Sequence, residues 1–271
     1  MENKHTMTDL LQMQSLPLGA KIRMTEARIQ AWIDYFGTEG VSISFSGGKD
    51  STVLMDIIRN RMNYKDIPAV FVDVPTQFPE LKEFALTWDN VEVLKPKISF
   101  MQVCNDYGFP LISKEIARNV CGAKKTYKII EDEILNNGKE INEKNIVDIL
   151  NRRIKNREGG DNVAVARMLS LKSKQNSNNG LPCTCDDAEK SNYNHQKYKF
   201  LLDSPFSISN KCCDIMKKNP LYEYTKRTKR KCITAQMANE SMLRLQAWFR
   251  NGCNAFNTAH PKSNPMSFWT E

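Results

Sequence analysis

Strand-like and helix-like segments alternate along the first half of the chain. Three short apolar runs each precede a longer segment whose apolar residues recur at helical spacing. The apolar runs are VSISF, PAVFVDV and VEVLKP, and the helical segments cover residues 51–62, 79–88 and 99–107. Strands that alternate with helices of this length predict an α/β fold, a parallel Rossmann-like sheet with helices on both faces.

The pattern continues on both sides of this region. Residues 8–37 have apolar positions at helical spacing, interrupted by LPLG, and precede the first predicted strand. Near the other end, KCITAQ is a strand candidate and residues 239–250 are predicted to form a helix.

The alternation stops in the middle of the chain. EKNIVDILNRRIKNRE predicts a charged amphipathic helix, NVAVARMLSLKSK a second helix, and QNSNNG a polar linker. We therefore expect three parts: a nucleotide-binding α/β half at residues 1–123, an inserted helical and linker segment at 124–197, and a C-terminal half at 198–271.

Composition adds the general class of protein. The 271 residues are 41% hydrophobic and 26% charged, as in an ordinary globular protein. No apolar run approaches the roughly 18–20 residues that cross a bilayer, and the first residues lack a signal peptide's hydrophobic block, so we expect a cytoplasmic protein without a membrane partner. The net charge of +8 favours anionic partners such as nucleotides, nucleic acid or acidic substrates.

The polar stretch SGGKDS, Ser46–Ser51, follows the first predicted strand and opens a helix. The adjacent Gly47 and Gly48 allow positive φ angles and close approach of the backbone to a ligand. The free N–H groups and the dipole of a helix start attract an anion, and a phosphate group fits this arrangement. The alternative is a plain turn in which the two glycines only permit the geometry.

Side chains of the same stretch add to this interpretation. Lys49 supplies a positive charge, and the hydroxyls of Ser46 and Ser51 can donate hydrogen bonds to a phosphate. Asp50 cannot donate while it is ionised. It is expected to cap the helix or to hold a Mg²⁺ ion that accompanies the phosphates.

The stretch SGGKDS resembles the pyrophosphate-binding loop (PP-loop) of the adenine-nucleotide α-hydrolase superfamily, which includes the ATP pyrophosphatases. Further stretches resemble the phosphoadenosine phosphosulfate (PAPS) reductase family in the order found there. They are LPLGAKIRMTEARIQAWIDYFG, FPLISKEIARN, KYKFLLDSPFSISNKCCDIMKKNPL, ITAQMANESMLRLQAWFRNGCNAF and SNPMSFWTE. The resemblance implies an adenine nucleotide, PAPS or ATP, bound at the carboxyl ends of parallel strands.

The resemblance also assigns nucleotide-facing positions. All six residues of the loop are assigned to the phosphates: Ser46, Gly47, Gly48, Lys49, Asp50 and Ser51. Outside the loop, Asp73, Lys211 and Arg244 match family positions. The usual Asp-Thr-Gly at the second strand is DVP here, and Asp73 could instead simply end the strand.

The eight cysteines of the chain are candidates for metal binding or thiol chemistry. Cys212 and Cys213 are adjacent, and vicinal cysteines seldom bond to each other, which indicates a metal or iron–sulfur site. In relatives a later cysteine pair completes the site, and here the downstream candidates are Cys232 and Cys253. A four-cysteine site and a redox-active or structural role of the double cysteine both remain open.

Two other features of the sequence bear on the role of the cysteines. PCTC, with Cys183 and Cys185, is a surface pair, a disulfide or a metal contact. Relatives continue beyond the equivalent of SFWTE with a further helix and cysteine pair, so a shortened C-terminal part is expected.

Three functions follow from these features. In sulfonucleotide reduction or sulfur transfer, Cys212 or Cys213 would attack PAPS, with a thiol reductant or sulfur donor as partner. In an ATP pyrophosphatase, Lys49, Asp50 and Mg²⁺ would assist cleavage of ATP, and an adenylated acceptor would receive sulfur, for example in nucleic-acid thiolation. The third function is a non-catalytic nucleotide-binding accessory protein. Reductases generally carry a degenerate loop, whereas SGGKDS is intact.

Overall fold

The computed structural model describes residues 3–169 and 194–270, together with the backbone of two short strands at residues 174–175 and 182–183. The α-helices in this part of the chain are α1 (Met7–Gln14), α2 (Leu18–Phe36), α3 (Lys49–Asp56), α4 (Pro79–Leu86), α5 (Phe100–Tyr107), α6 (Lys114–Asn136), α7 (Glu143–Lys155), α8 (Asn162–Leu169), α9 (Asn219–Thr228) and α10 (Met242–Asn251). Across the described residues, no helix combines the length and apolar character needed to cross a membrane.

The strands form one large sheet and one small one. They are β1 (Val41–Ser44), β2 (Ala69–Val72), β3 (Val91–Leu94), β4 (Lys174–Gln175), β5 (Pro182–Cys183), β6 (Lys231–Ile233), β7 (Asn254–Ala255) and β8 (Lys262–Ser263). The large sheet has the order β3-β2-β1-β6-β8-β7, in which only β7 runs antiparallel to its neighbour. A mostly parallel sheet among helices confirms the predicted α/β class.

The chain divides into two compact units. The sheet unit comprises Met1–Lys97 and Met216–Glu271 and contains the large sheet, whereas the helical unit comprises Ile98–Ile215 and contains α5 to α8. The helices predicted for the inserted segment, α7 and α8, lie in the helical unit. The boundaries of the three-part division remain a prediction, and the expected QNSNNG linker lies outside the described residues.

The core of the sheet unit follows from strand alternation and helix periodicity. Val41 and Ile43 on β1 and the following Phe45 point to one face, where they pack with Trp32 of α2 and Phe71 of β2. All five side chains are buried. Since burying one large apolar side chain contributes about 1.5–3 kcal/mol, this cluster fixes β1 as the central strand from which the loop Ser46–Ser51 departs.

The helical unit has its own core along α6. Ile116, Val120, Ile130 and Ile134 recur at helical spacing and are buried together with residues of α7 and α8. The hydroxyl of Ser113 caps the helix by accepting a hydrogen bond of 3.2 Å from the Ile116 amide. This packing explains why the charged helices of the middle region fold as a separate cluster.

A buried arginine ties the helix after the loop to β2 and β3. The guanidinium of Arg59, in a residue only 4% exposed, donates to the carbonyls of Ile67 at 3.2 Å and Asn90 at 3.0 Å, and also to the carbonyl of Asp89. Burial lowers the pKa of Arg59, which is the direction expected because removal from water disfavours the charged form of the side chain.

Replacing Arg59 with methionine is expected to lower the free energy of unfolding by about 3 kcal/mol, because the buried carbonyls lose their donors. Urea denaturation measures the loss. The matched control is Arg61→Met on the same turn, which removes a partly exposed pair with Glu26 and should change stability by less than about 1 kcal/mol. Equal losses in the two variants would contradict the role given to Arg59.

Candidate functional site

The loop Ser46–Ser51 connects β1 to α3 at the carboxyl edge of the large sheet. Gly47 has a φ of +75°, and a Cβ at this position would lie 3.0 Å from the carbonyl oxygen of Leu81. A side chain is therefore excluded both by conformation and by the neighbouring backbone. Gly48 occupies the N-cap of α3 without a side-chain hydrogen bond to the first turn. The loop has the close backbone approach and the helix start that the sequence predicts.

Hydrogen bonds within the loop hold its shape. Ser51 Oγ donates to the Gly48 carbonyl at 2.9 Å, and Thr52 Oγ1 donates to the same oxygen at 3.0 Å. The amide of Ser46 donates to Ser51 Oγ at 3.2 Å, and the two serine hydroxyls are 3.0 Å apart. Ser51 is thus occupied in closing the loop, and the structure gives it a positioning role in addition to the predicted phosphate contact.

The charged residues of the loop lie at its surface. Lys49 Nζ is 3.1 Å from Asp50 Oδ1, with side chains 65% and 37% exposed. An exposed pair of neighbouring residues contributes little stability, so little energy opposes its rearrangement around a ligand. Both side chains can therefore reach an anion and its counter-ion.

Asp73 follows β2 at the same edge of the sheet. Its amide donates to the Leu94 carbonyl at 2.8 Å, which continues the ladder between β2 and β3. Its carboxylate pairs with Lys82 of α4 at 2.7 Å. Because β1 and β2 are parallel neighbours, Asp73 and the loop emerge from adjacent strand ends. The contact of Asp73 with a nucleotide remains a prediction, and Lys82 is a cation that sequence reasoning missed.

The strand order places the loop at a topological switch point. From β1 the chain proceeds through β2 to β3 on one side, while β6 pairs with β1 on the other side. In open α/β sheets, ligands bind in the crevice outside the strand ends where the order reverses. The loop after β1 lies at such a point.

Arg244 and its neighbours form the start of α10, also in the sheet unit. Arg244 forms an ion pair with Glu240, and its amide donates to Ser241 Oγ at 3.3 Å as an N-cap bond. Glu240 Oε1 accepts the Met237 amide at 2.8 Å. These bonds give Glu240 and Ser241 a structural role in beginning the helix, while the nucleotide contact of Arg244 remains a prediction.

The double cysteine lies in the helical unit, on a segment that passes close to Gly108. The Phe109 amide donates to the Ser207 carbonyl at 2.8 Å, and the Ser209 amide donates to the Phe109 carbonyl at 3.1 Å. Gly108 has a φ of +106°, and a Cβ there would lie 2.8 Å from the Ser207 carbonyl carbon and oxygen. The absence of a side chain at Gly108 therefore permits this pairing.

Lys211, Cys212 and Cys213 follow the paired segment directly. The Lys211 carbonyl accepts the amide of Ile215 at 3.0 Å, which begins a π-helical turn at Asp214–Lys218. Cys212 and Cys213 are free thiols of intermediate exposure. The two thiols are accessible enough for the predicted nucleophilic role, and Lys211 is exposed enough for the predicted nucleotide contact. Both roles remain predictions.

The other two predicted cluster ligands lie in the sheet unit. Burial raises the pKa of the thiols of Cys232 on β6 and Cys253 before β7, so both are protonated at neutral pH in the absence of a metal. In the residues that the structure describes, no three His, Cys, Asp or Glu side chains are placed to hold a metal ion. The four-cysteine site remains a prediction, and the side chains of Cys183 and Cys185 lie outside the described residues.

Sequence reasoning also missed Lys262 on β8. Lys262 Nζ donates to Gln236 Oε1 at 2.7 Å, and both residues line a cavity of about 460 Å³ at the carboxyl ends of β6 and β8. The two-residue strand that carries Lys262 is too short for a periodicity signal. Only the fold brings it beside Gln236.

The comparisons with known proteins agree with this geometry. Residues 40–135 match the model of the phosphoadenosine phosphosulfate reductase domain, a range that runs from β1 through α6. A curated relative, a probable FAD synthase of Caenorhabditis elegans, is 30% identical over 83 residues, which cover 28% of this chain and only 16% of that protein. No solved structure matches the chain.

The fold is of the α/β class, and the comparisons support a PP-loop nucleotide-binding type. The similarity to the phosphoadenosine phosphosulfate reductase domain covers residues 40–135, about a third of the chain.

Proposed function

We propose that the loop Ser46–Ser51 binds the phosphates of ATP and that the protein cleaves ATP between the α- and β-phosphates to adenylate a second substrate. The observation that carries the proposal is the geometry of the loop. Gly47 brings the backbone against Leu81 at positive φ, and α3 begins without a side-chain cap. A helix start of this kind is suited to an anion, and the intact sequence favours ATP over PAPS.

In this proposal, residues of the chain itself stabilise the charge that develops during cleavage of ATP. A nucleophilic oxygen or sulfur of the second substrate attacks the α-phosphorus, the bond from that phosphorus to the bridging oxygen breaks, and pyrophosphate leaves with the bond's electrons. Lys49 and the amides at the start of α3 stabilise the negative charge that develops on pyrophosphate. Adenylation prepares the acceptor for attack by sulfur.

The carboxylates of the site fit a magnesium ion that is shared with the phosphates. Asp50 and Asp73 both lie at the carboxyl edge of the sheet, where their partly exposed side chains pair with Lys49 and Lys82 respectively. Mg²⁺ is usually held by one or two carboxylates together with substrate phosphates. When bound, the ion would neutralise negative charge on the leaving pyrophosphate.

The test is a parallel incubation of anaerobically purified protein with ATP and Mg²⁺ or with PAPS and a dithiol. With no second substrate added, water takes its place at the α-phosphorus, so we expect equal amounts of AMP and pyrophosphate from ATP, and no sulfite from PAPS. Formation of ADP and inorganic phosphate would contradict cleavage at the α-phosphate. Tight ATP binding without pyrophosphate would instead select an accessory, nucleotide-binding function.

The accessible double cysteine supports a second candidate, sulfonucleotide reduction. A thiolate of Cys212 or Cys213 would attack the sulfur of PAPS, break the sulfur–oxygen bond and release the bisphosphorylated nucleotide. A thiol reductant would then release sulfite and leave a disulfide. Sulfite that depends on both PAPS and the reductant, and that is lost in Cys212→Ser, would select this candidate. Iron and sulfide analysis of the same preparation tests the predicted iron–sulfur site.

A further inference from the structure

The cavity of about 460 Å³ beside α10 lies on the other side of β6 from the loop Ser46–Ser51. Its volume lies within the roughly 300–1,000 Å³ of small-molecule sites. Gln236 and Met237, which follow β6, form one wall, while Ala247 and Trp248 of α10 form another. The cavity therefore lies within the sheet unit, between the residues that follow β6 and the helix α10.

Most of the cavity lining is apolar, but it includes the cationic side chain of Lys262. Lys262 projects from β8 into this region, where its ammonium group donates to the uncharged amide oxygen of Gln236 at 2.7 Å. Among the described residues, no carboxylate forms an ion pair with Lys262. An ammonium group that is partly withdrawn from water without a counter-ion is unfavourable, and an anion in the cavity would remove that cost.

Two positive charges lie near Lys262. Burial is the main cause that lowers the pKa of Lys262, and the nearby positive charges of Arg244 and Lys218 lower it further, against an opposing effect of Cys232. Arg244 lines the same cavity and is paired with Glu240. Lys262 is thus a cation of the cavity to which the described residues offer no carboxylate partner, and this favours a negatively charged ligand.

The position of the cavity connects it with the loop. β6 pairs in parallel with β1, so the loop and the residues Gln236–Ala238 follow the carboxyl ends of adjacent strands. Adjacent strands are about 4.8 Å apart, so the loop and one side of the cavity begin at neighbouring positions on the same edge of the sheet.

From this geometry we infer that the cavity binds the second substrate and that this substrate is a small organic anion, with its apolar body against Trp248 and Met237 and its acidic group on Lys262. The role as second substrate rests on the proposed ATP chemistry. The binding of an organic anion at Lys262 does not, and the two parts can be tested separately.

The binding test uses two fluorescent probes with similar apolar bodies, anilinonaphthalene sulfonate and its uncharged analogue N-phenylnaphthylamine. In Lys262→Met the dissociation constant of the sulfonate should rise at least about tenfold, whereas that of the uncharged analogue should change less than about twofold. The matched control is Lys226→Met, an exposed lysine on α9, which should leave both constants unchanged. Circular dichroism and the thermal midpoint establish that the variants are folded.

Several outcomes would overturn the inference. Equal weakening of both probes would mean that the substitution disturbs the cavity rather than removing an anion contact, and unchanged sulfonate binding would mean that Lys262 is not the contact. Lys49→Ala should retain sulfonate binding while losing ATP binding. If the wild-type protein binds the sulfonate at Lys262 but does not cleave ATP, the result supports the anion site. It contradicts the second-substrate role together with the proposed function.

Discussion

Replacing Lys49 with alanine is expected to lower nucleotide-dependent turnover by at least about a hundredfold, because a charge aimed at the leaving pyrophosphate is removed. The side chain is 65% exposed and forms an ion pair with the adjacent Asp50, so the fold should not depend on it. Release of AMP and pyrophosphate measures the rate, and calorimetry measures ATP affinity. Asp50→Ala is expected to have a comparable effect on turnover.

The control for this experiment is Lys65→Ala, which removes an exposed lysine elsewhere in the sheet unit. This variant should retain full turnover, which would show that the loss in Lys49→Ala does not come from the reduced net charge of the protein. Normal activity in Lys49→Ala would contradict the assignment of the loop as the phosphate site. Thermal denaturation of both variants should give midpoints close to that of the unsubstituted protein.

The second large effect is on stability. Gly108→Ala is expected to lower the free energy of unfolding of the helical unit by about 3 kcal/mol or more. The new Cβ would meet the Ser207 backbone at 2.8 Å, and the φ of +106° is strained for any residue with a side chain. Because neither backbone segment can move aside cheaply, the pairing of Phe109 with residues 207–209 should weaken.

Gly138→Ala is the matched control in the same unit. Gly138 also has a positive φ, of +66°, but a Cβ there would have no atom within 4 Å. It should therefore lose only about 1 kcal/mol, the effect of backbone conformation alone. Hydrogen exchange at α6 measures the two losses, and the thiols of Cys212 and Cys213 should react faster with a labelling reagent in Gly108→Ala. Similar losses in the two variants would contradict the importance of the close contact.

The sequence was sufficient for the features that depend on local patterns. β1, the loop and α3 follow from alternation, adjacent glycines and helical spacing, all within residues 41–56. The α/β class follows from the repetition of this unit. These inferences succeed because strand, turn and helix each carry their own periodicity and turn chemistry.

Features that depend on distant residues could not be predicted in this way. Lys262 and Gln236 are 26 positions apart, and their contact depends on the pairing of β6 with β8. β7 and β8 have two residues each, too few for a periodic pattern. The closeness of Gly108 to Ser207 is equally a property of tertiary packing. The glycine alone indicates only a helix end.

The central position of β1 has a consequence for how the protein forms. Its partner β6 comes from the far end of the sequence: Arg230, just before β6, donates to the Val41 carbonyl at 2.9 Å across 189 positions of the chain. During synthesis, the helical unit therefore leaves the ribosome before β1 can acquire its second neighbour. A nascent chain stopped before residue 230 would expose one edge of β1, and we expect the nucleotide site to be acquired late, as the last step of a slow, long-range strand pairing.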